Sequence, residues 1–179
     1  EPLRQFLVNR LPKYGNDEDA ADDLMVRVFD SLFTAVDGRP TAKGGAYRIE
    51  MLPTTCHIYF GAVTGATPDG RAAGQPLSEG ISPVQGADRH GPTAVLRSAG
   101  KMDHVQTGGT LLNLKLTPAL LADEKGLESC ADLVRGYFKL DGHHVQFNVV
   151  TADTLRDAQS DPEAHRGLIV RVAGYSDYF

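Results

Sequence analysis

A chain of 179 residues with a net charge of −5 and a hydrophobic fraction of 41% can bury a sizeable core, as one domain or as one large piece of one. The acidic balance and the lack of a basic cluster argue against nucleic-acid binding. No apolar run approaches the roughly 18 residues that span a bilayer, and no signal peptide opens the chain. The two cysteines, Cys56 and Cys130, form no C-x-x-C pair, so a reducing cytoplasm is the simplest setting.

From Asn16 to about Asp37 the pattern is helical. Asn16 can cap, Asp17, Glu18 and Asp19 suit the positive end of the helix dipole, and Gly38 follows as a terminator. Ala21, Leu24, Val28 and Leu32, with Met25, Phe29 and Phe33 beside them, form one wide apolar face. Residues Tyr47 to Phe60 read as extended, with the second half the better strand, because His57, Tyr59 and Gly61 alternate with Ile58 and Phe60. His57 and Tyr59 are candidates to line a substrate pocket; a half-buried tyrosine that only satisfies its hydroxyl is the plainer reading.

The stretch 64–86 is dense in glycine and proline, yet Leu77, Ile81 and Val84 are interleaved through it. That pattern predicts a long ordered loop tied down by its own apolar residues rather than a linker. Neither G-x-x-x-x-G-K-[ST] nor G-x-G-x-x-G occurs in it, so it is not read as a nucleotide loop. Pro92 suits the first position of a short helix through about Ala99. Residues 108–116 alternate like a strand, and Thr117-Pro118 is a helix start. A further helix is expected from about Leu127 to Leu140, with Cys130 as a small core residue on its apolar side.

The final third reads as a β-α-β unit: a strand over His143–Val150, a helix capped by Thr151 through about Gln159, and a strand over Leu168–Ala173. A helical crossover places two strands parallel. Six histidines invite a metal hypothesis, but none stands in H-E-x-x-H, and the neighbours His143 and His144 point to opposite faces of a strand. No metal site is expected. Gly80-Ile-Ser82-Pro-Val84 fails the G-x-S-x-G pattern of a serine hydrolase at its last position.

The apolar run Leu168-Ile-Val170 leads into the last nine residues, Arg171-Val-Ala-Gly-Tyr-Ser-Asp-Tyr-Phe179. Taken alone, Gly174 ends a strand and begins a turn. Glycine has a second property. Loss of its α-hydrogen leaves a planar radical delocalised into the flanking peptide groups, and no Cβ opposes the flattening or the unusual backbone angles of such a site.

Arg-Val-Ala-Gly-Tyr-Ser resembles the signature of the glycyl radical enzymes, the family of pyruvate formate-lyase and its dehydratase, decarboxylase and C–X lyase relatives. Gly-Ala-Thr-Pro-Asp-Gly-Arg71, Ser-Pro-Val-Gln-Gly86, Gly-Pro-Thr-Ala-Val95 and Asp141-Gly-His-His-Val-Gln-Phe-Asn148 resemble further blocks of the dehydratase and lyase branch. The resemblance implies an α/β fold, the C-terminal part of a ten-stranded barrel, with the radical glycine on a loop entering it. It divides the chain into barrel residues 1–100 and a glycyl radical domain, 101–179, cut shortly after the motif. Gly174 then stores the radical.

The resemblance also implies an anaerobic, homodimeric, cytoplasmic enzyme acting on a small molecule. No cofactor is bound; a separate activating enzyme with an iron–sulfur cluster and S-adenosylmethionine installs the radical. The family's radical cysteine, in a Gly-Cys-x-Glu context or a Cys-Cys pair, is missing, and Cys56 in Thr55-Cys-His57 matches neither. The chain therefore reads as a fragment. Its function is expected to be radical elimination of the dehydratase or C–X lyase type; a formate acetyltransferase fragment and a non-catalytic docking subunit that supplies the radical glycine are the alternatives.

Overall fold

The computed structural model describes residues 2–52, 56–172 and 175–178. Helix α1 (Pro2–Arg10) opens the chain, an element with no counterpart in the sequence expectations. Helix α2 (Asp19–Val36) follows, ending before Gly38, whose φ of +72° is the left-handed conformation that stops a helix. Its wide apolar face is divided. Phe29 is buried, with Met25 and Phe33 packed beside it, whereas Leu24, Val28 and Leu32 are exposed in this chain.

Asn16 is not the cap of α2; Glu18 holds the cap position, without a side-chain hydrogen bond. The Asn16 carboxamide is buried instead. It donates to the carbonyls of Lys13 and Ala87 and accepts from the backbone N–H groups of Arg89 and His90. Every polar site it presents to that loop is used, which outweighs one helix cap.

The expected strand at Ile58–Phe60 is a helix, α3 (Cys56–Val63). Its two buried positions, His57 and Gly61, are four apart, the helical repeat, while Ile58, Tyr59 and Phe60 are all exposed. Gly61 makes the packing possible. A Cβ there would stand 2.4 Å from the carbonyl oxygen of Gln75, so only glycine lets this helix approach the loop so closely.

Stretch 64–86 has neither helix nor strand, as expected, and is ordered by Arg71. The guanidinium donates to the carbonyls of Gln75 (2.6 Å), Ala72 (3.2 Å) and Thr64 (3.3 Å), and to that of Gly65. Ile81 is buried in the core. Its N–H donates to Leu111 O, and Ser82 Oγ accepts from Asn113 N–H, so the loop flanks one edge of the central strand.

Helix α4 (Pro92–Ala99) begins at its proline as expected and buries Ala94, Val95, Leu96, Ser98 and Ala99. Strand β1 (Leu112–Leu116) leads to a single 3-10 turn at Pro118–Leu121 and then to α5 (Glu124–Lys139), capped by Asp123 through a 2.7 Å bond from Gly126 N–H. Strand β2 (Val145–Val149) is followed by α6 (Ala152–Ser160), whose cap is Thr151 as expected.

Strands β1 and β2 are parallel, with Leu112 opposite Val145 and Leu114 opposite Phe147. These four side chains face a core that α2, α4 and α5 cover, with Phe29, Val95, Leu96, Met102 and Tyr137 at its centre. Burial of one such side chain is worth about 1.5–3 kcal/mol.

The β-α-β expectation is corrected in its pairing. Strand β3 (Ile169–Val172) does not join the β1–β2 ladder; it pairs antiparallel with β4 (Tyr175–Tyr178), Val172 opposite Tyr175. The parallel partner of β2 is β1, the earlier strand that reaches it through α5.

Candidate functional site

The chemistry expected at Gly174 falls in a residue outside those described, as does Ala173. What is described are the two strands on either side. They pair antiparallel, with Val172 opposite Tyr175 and Arg171 opposite Ser176. Arg171 Nη1 donates to Ser176 Oγ at 2.7 Å across the pair.

Alternation along β2 sends Val145 and Phe147 into the core and Gln146 and Asn148 to the opposite face. On that face Asn148 grips β3. Its Oδ1 accepts from Arg171 N–H at 2.6 Å, and its Nδ2 donates to Arg171 O at 2.8 Å. A strand residue sends its N–H and C=O to the same side. With those of Arg171 turned toward Asn148, the side chain of β2 stands where a neighbouring strand's peptide would.

Gln146 and its register partner Asn113 lie on the same face. Gln146 is 5% exposed, and neither its oxygen nor its nitrogen has a hydrogen-bond partner; the same holds for Asn113. Such a pair is costly to leave unsatisfied. Neither residue, nor Asn148, was singled out from the sequence, although the polar residues at every second position of Val145-Gln-Phe-Asn-Val149 were the signal that could have found them.

His57 is buried near the loop at Leu77, whose N–H donates to the His57 carbonyl at 3.1 Å. Tyr59 is 71% exposed. Two residues apart on a helix point about 200° apart, so the chain does not bring the two together. Tyr59 instead shares an exposed apolar surface with Ile58, Phe60 and Val63.

Histidine appears in the core in a structural role. His104 is fully buried; Nε2 lies 2.9 Å from Ala99 O and Nδ1 2.9 Å from Thr110 Oγ1. A carbonyl only accepts, so Nε2 carries the proton and Nδ1 accepts from the threonine hydroxyl. The ring meets Tyr137 edge-on, at 5.8 Å and 85°. Burial pushes its pKa below the ordinary histidine value. The His143 ring lies 6.5 Å away, centroid to centroid. Among the described residues no group of three or more His, Cys, Asp or Glu is placed to hold a metal ion. Among the described residues Cys56 and Cys130 form no disulfide, and both are of intermediate exposure.

A family model described as glycine radical matches residues 77–179, and one described as pyruvate formate lyase-like matches residues 1–61. Over 179 residues the chain is 55% identical to trans-4-hydroxy-L-proline dehydratase of Clostridioides difficile, all of this chain and 23% of the relative. It is 44% identical to the probable dehydratase YbiW of Escherichia coli K12, again over 23% of that protein's length. The crystal structure of the C. difficile hydroxyproline dehydratase with trans-4-hydroxy-L-proline bound matches with a TM-score of 0.96 at 54% identity, covering 99% of this chain and 22% of that one. The chain thus spans about a quarter of the length of these relatives, and the expected α/β class and the resemblance to one part of a larger radical enzyme are both borne out. The chain belongs to the glycine radical family.

Proposed function

We propose that this chain is part of an enzyme that removes water, or another small leaving group, from a small hydroxylated molecule by radical elimination, with Gly174 as the store of the radical. The observation that carries the reading is the 55% identity to a dehydratase over the whole chain, a stretch that includes Arg171-Val-Ala-Gly-Tyr-Ser. Residues 1–100 belong in this reading to the barrel and 101–179 to the radical domain.

The chemistry balances without a net oxidant. A separate activating enzyme with an iron–sulfur cluster and S-adenosylmethionine takes one hydrogen atom from the Gly174 Cα, leaving a radical stabilised by the two flanking peptide groups. That radical takes hydrogen from a thiol, which becomes a thiyl radical. The thiyl takes hydrogen from a substrate carbon, and the adjacent C–O bond breaks with loss of water. The product radical recovers its hydrogen from the thiol, and the thiol recovers its own from Gly174. Cys56 and Cys130 lie outside the Gly-Cys-x-Glu context, so the thiol is assigned to a segment beyond these 179 residues.

Tyr59, exposed here at 71%, is assigned to the substrate side of the barrel, and His57, buried on the other face of α3, lines the pocket only from behind that helix. A homodimer in an anaerobic cytoplasm completes the account, since dioxygen destroys a glycyl radical. The test uses that reaction. Activated full-length protein exposed to air is expected to break at Gly174, giving two fragments by mass spectrometry; a protein left whole after activation and air would overturn the assignment.

A further inference from the structure

We infer that Asn148 is a positioning residue for Gly174: its carboxamide fixes the strand that leads to the glycine against the sheet. The inference rests on the reading of Gly174 as radical store. The geometry is independent of that reading. Strand β3 forms no ladder with β2, and the described sheets are β1–β2 and β3–β4. In place of a ladder rung, the Asn148 side chain takes both backbone groups of Arg171, at 2.6 and 2.8 Å. Arg171 lies three residues before Gly174. A radical handed between two residues moves by hydrogen-atom transfer, which depends steeply on placement at the level of an ångström. A strand gripped at its backbone by a side chain rooted in a parallel sheet is held to that tolerance.

The root is itself stiff. Asn148 is opposite Lys115 in the β1–β2 register, Phe147 beside it packs on the core, and Val150 N–H donates to Leu116 O just beyond. The carboxamide is matched to its task. One oxygen accepts and one nitrogen donates, which an aspartate or a leucine in its place does not reproduce. Two hydrogen bonds of ordinary strength correspond to roughly a ten- to hundredfold bias toward the docked strand, enough to set a position and weak enough for one residue to decide it.

The experiment uses full-length protein with three forms: wild type, Asn148→Ala and Asn148→Asp, the last keeping an acceptor for Arg171 N–H but losing the donor. Amide hydrogen exchange is measured before activation, and turnover per unpaired spin after it. In wild type the Arg171 amide is expected to be protected. In Asn148→Ala it exchanges about tenfold faster or more, while amides of β1 and α5 keep their rates. Turnover per spin falls by a similar factor with the substrate KM unchanged, and Asn148→Asp lies between. A general loss of folding would instead raise exchange across β1 and α5 and leave turnover per folded spin intact. Should Asn148→Ala not fold, Asn148→Asp carries the same comparison. An Arg171 amide that exchanges freely in wild type, or variants that match wild type in both exchange and turnover per spin, overturns the inference. Failure of wild type to form any spin defeats the radical reading instead, and the exchange data still decide the clamp.

Discussion

Lys101 Nζ lies 2.7 Å from Oδ2 of Asp22, a carboxylate with no solvent exposure. The same ammonium reaches Asp19 at 2.8 Å and Asp17 at 3.1 Å, and Ser98 Oγ donates to the buried oxygen at 2.9 Å. Partial burial pulls the Lys101 pKa down, but Asp19, Asp22 and Asp17 outweigh it and hold it above the ordinary lysine value. The cluster fastens the start of α2 to the end of α4. Removing the cation strands a buried carboxylate, so Lys101→Met is expected to destabilise by about 3–5 kcal/mol. Asp22→Asn leaves the ammonium two other carboxylates and should cost less, about 1–3 kcal/mol. Denaturant unfolding of both variants checks the order; equal losses would contradict it.

Gly61→Ala is expected to destabilise, although alanine ordinarily gains about 1 kcal/mol over glycine inside a helix. The new methyl would meet Gln75 O at 2.4 Å and the Cα of Pro76 at 2.6 Å, both backbone atoms that cannot swing aside. A loss of roughly 1–3 kcal/mol follows from overpacking of this kind. Thermal unfolding reads the sign, and a raised Tm in Gly61→Ala would show that α3 stands off the loop.

His104 predicts a pH dependence. Its pKa is lowered in the fold, chiefly by burial, with His143 adding to the effect and the Ala99 carbonyl, Asp103 and Asp141 opposing it. A depressed folded value means that the unfolded chain takes up the proton first. The stability His104 contributes is therefore present above the unfolded value of about 6.5 and is lost as pH falls through the folded value. Tm measured from pH 7.5 downward should fall across that window, and the fall should shrink in His104→Gln.

Gln146 predicts a stabilising substitution. Its buried, unpartnered carboxamide costs about 1–3 kcal/mol relative to an apolar group of similar shape. Gln146→Leu is expected to raise the unfolding midpoint by a corresponding amount. Unchanged or lowered stability would indicate that the carboxamide is satisfied in the full-length protein.

Much of this architecture was legible along the chain. Pro92 began its helix and Thr151 capped α6, because each depends on neighbours within a few residues, and Ile81 anchored a loop rich in glycine because an apolar side chain there has to be buried somewhere. The failures have one physical origin in contacts between distant segments. Ile58–Phe60 has strand-like composition, yet the close approach of Gly61 to Gln75 and Pro76 selects a helix. Asn16 has the chemistry of a cap but spends its carboxamide on residues more than 70 positions away. Asn148 in place of a β2–β3 ladder was illegible for the same reason: its partner Arg171 lies 23 residues further along the chain, and no local pattern reports that. At the site, the motif around Gly174 was readable from the chain, whereas the polar row of Asn113, Gln146 and Asn148 required the register of two strands.

The most direct measurement is electron paramagnetic resonance of the full-length protein after treatment with its activating enzyme under anaerobic conditions. The account predicts a carbon-centred doublet, split by the single α-hydrogen left on Gly174, in wild type and none in Gly174→Ala. A persistent doublet in Gly174→Ala would contradict it.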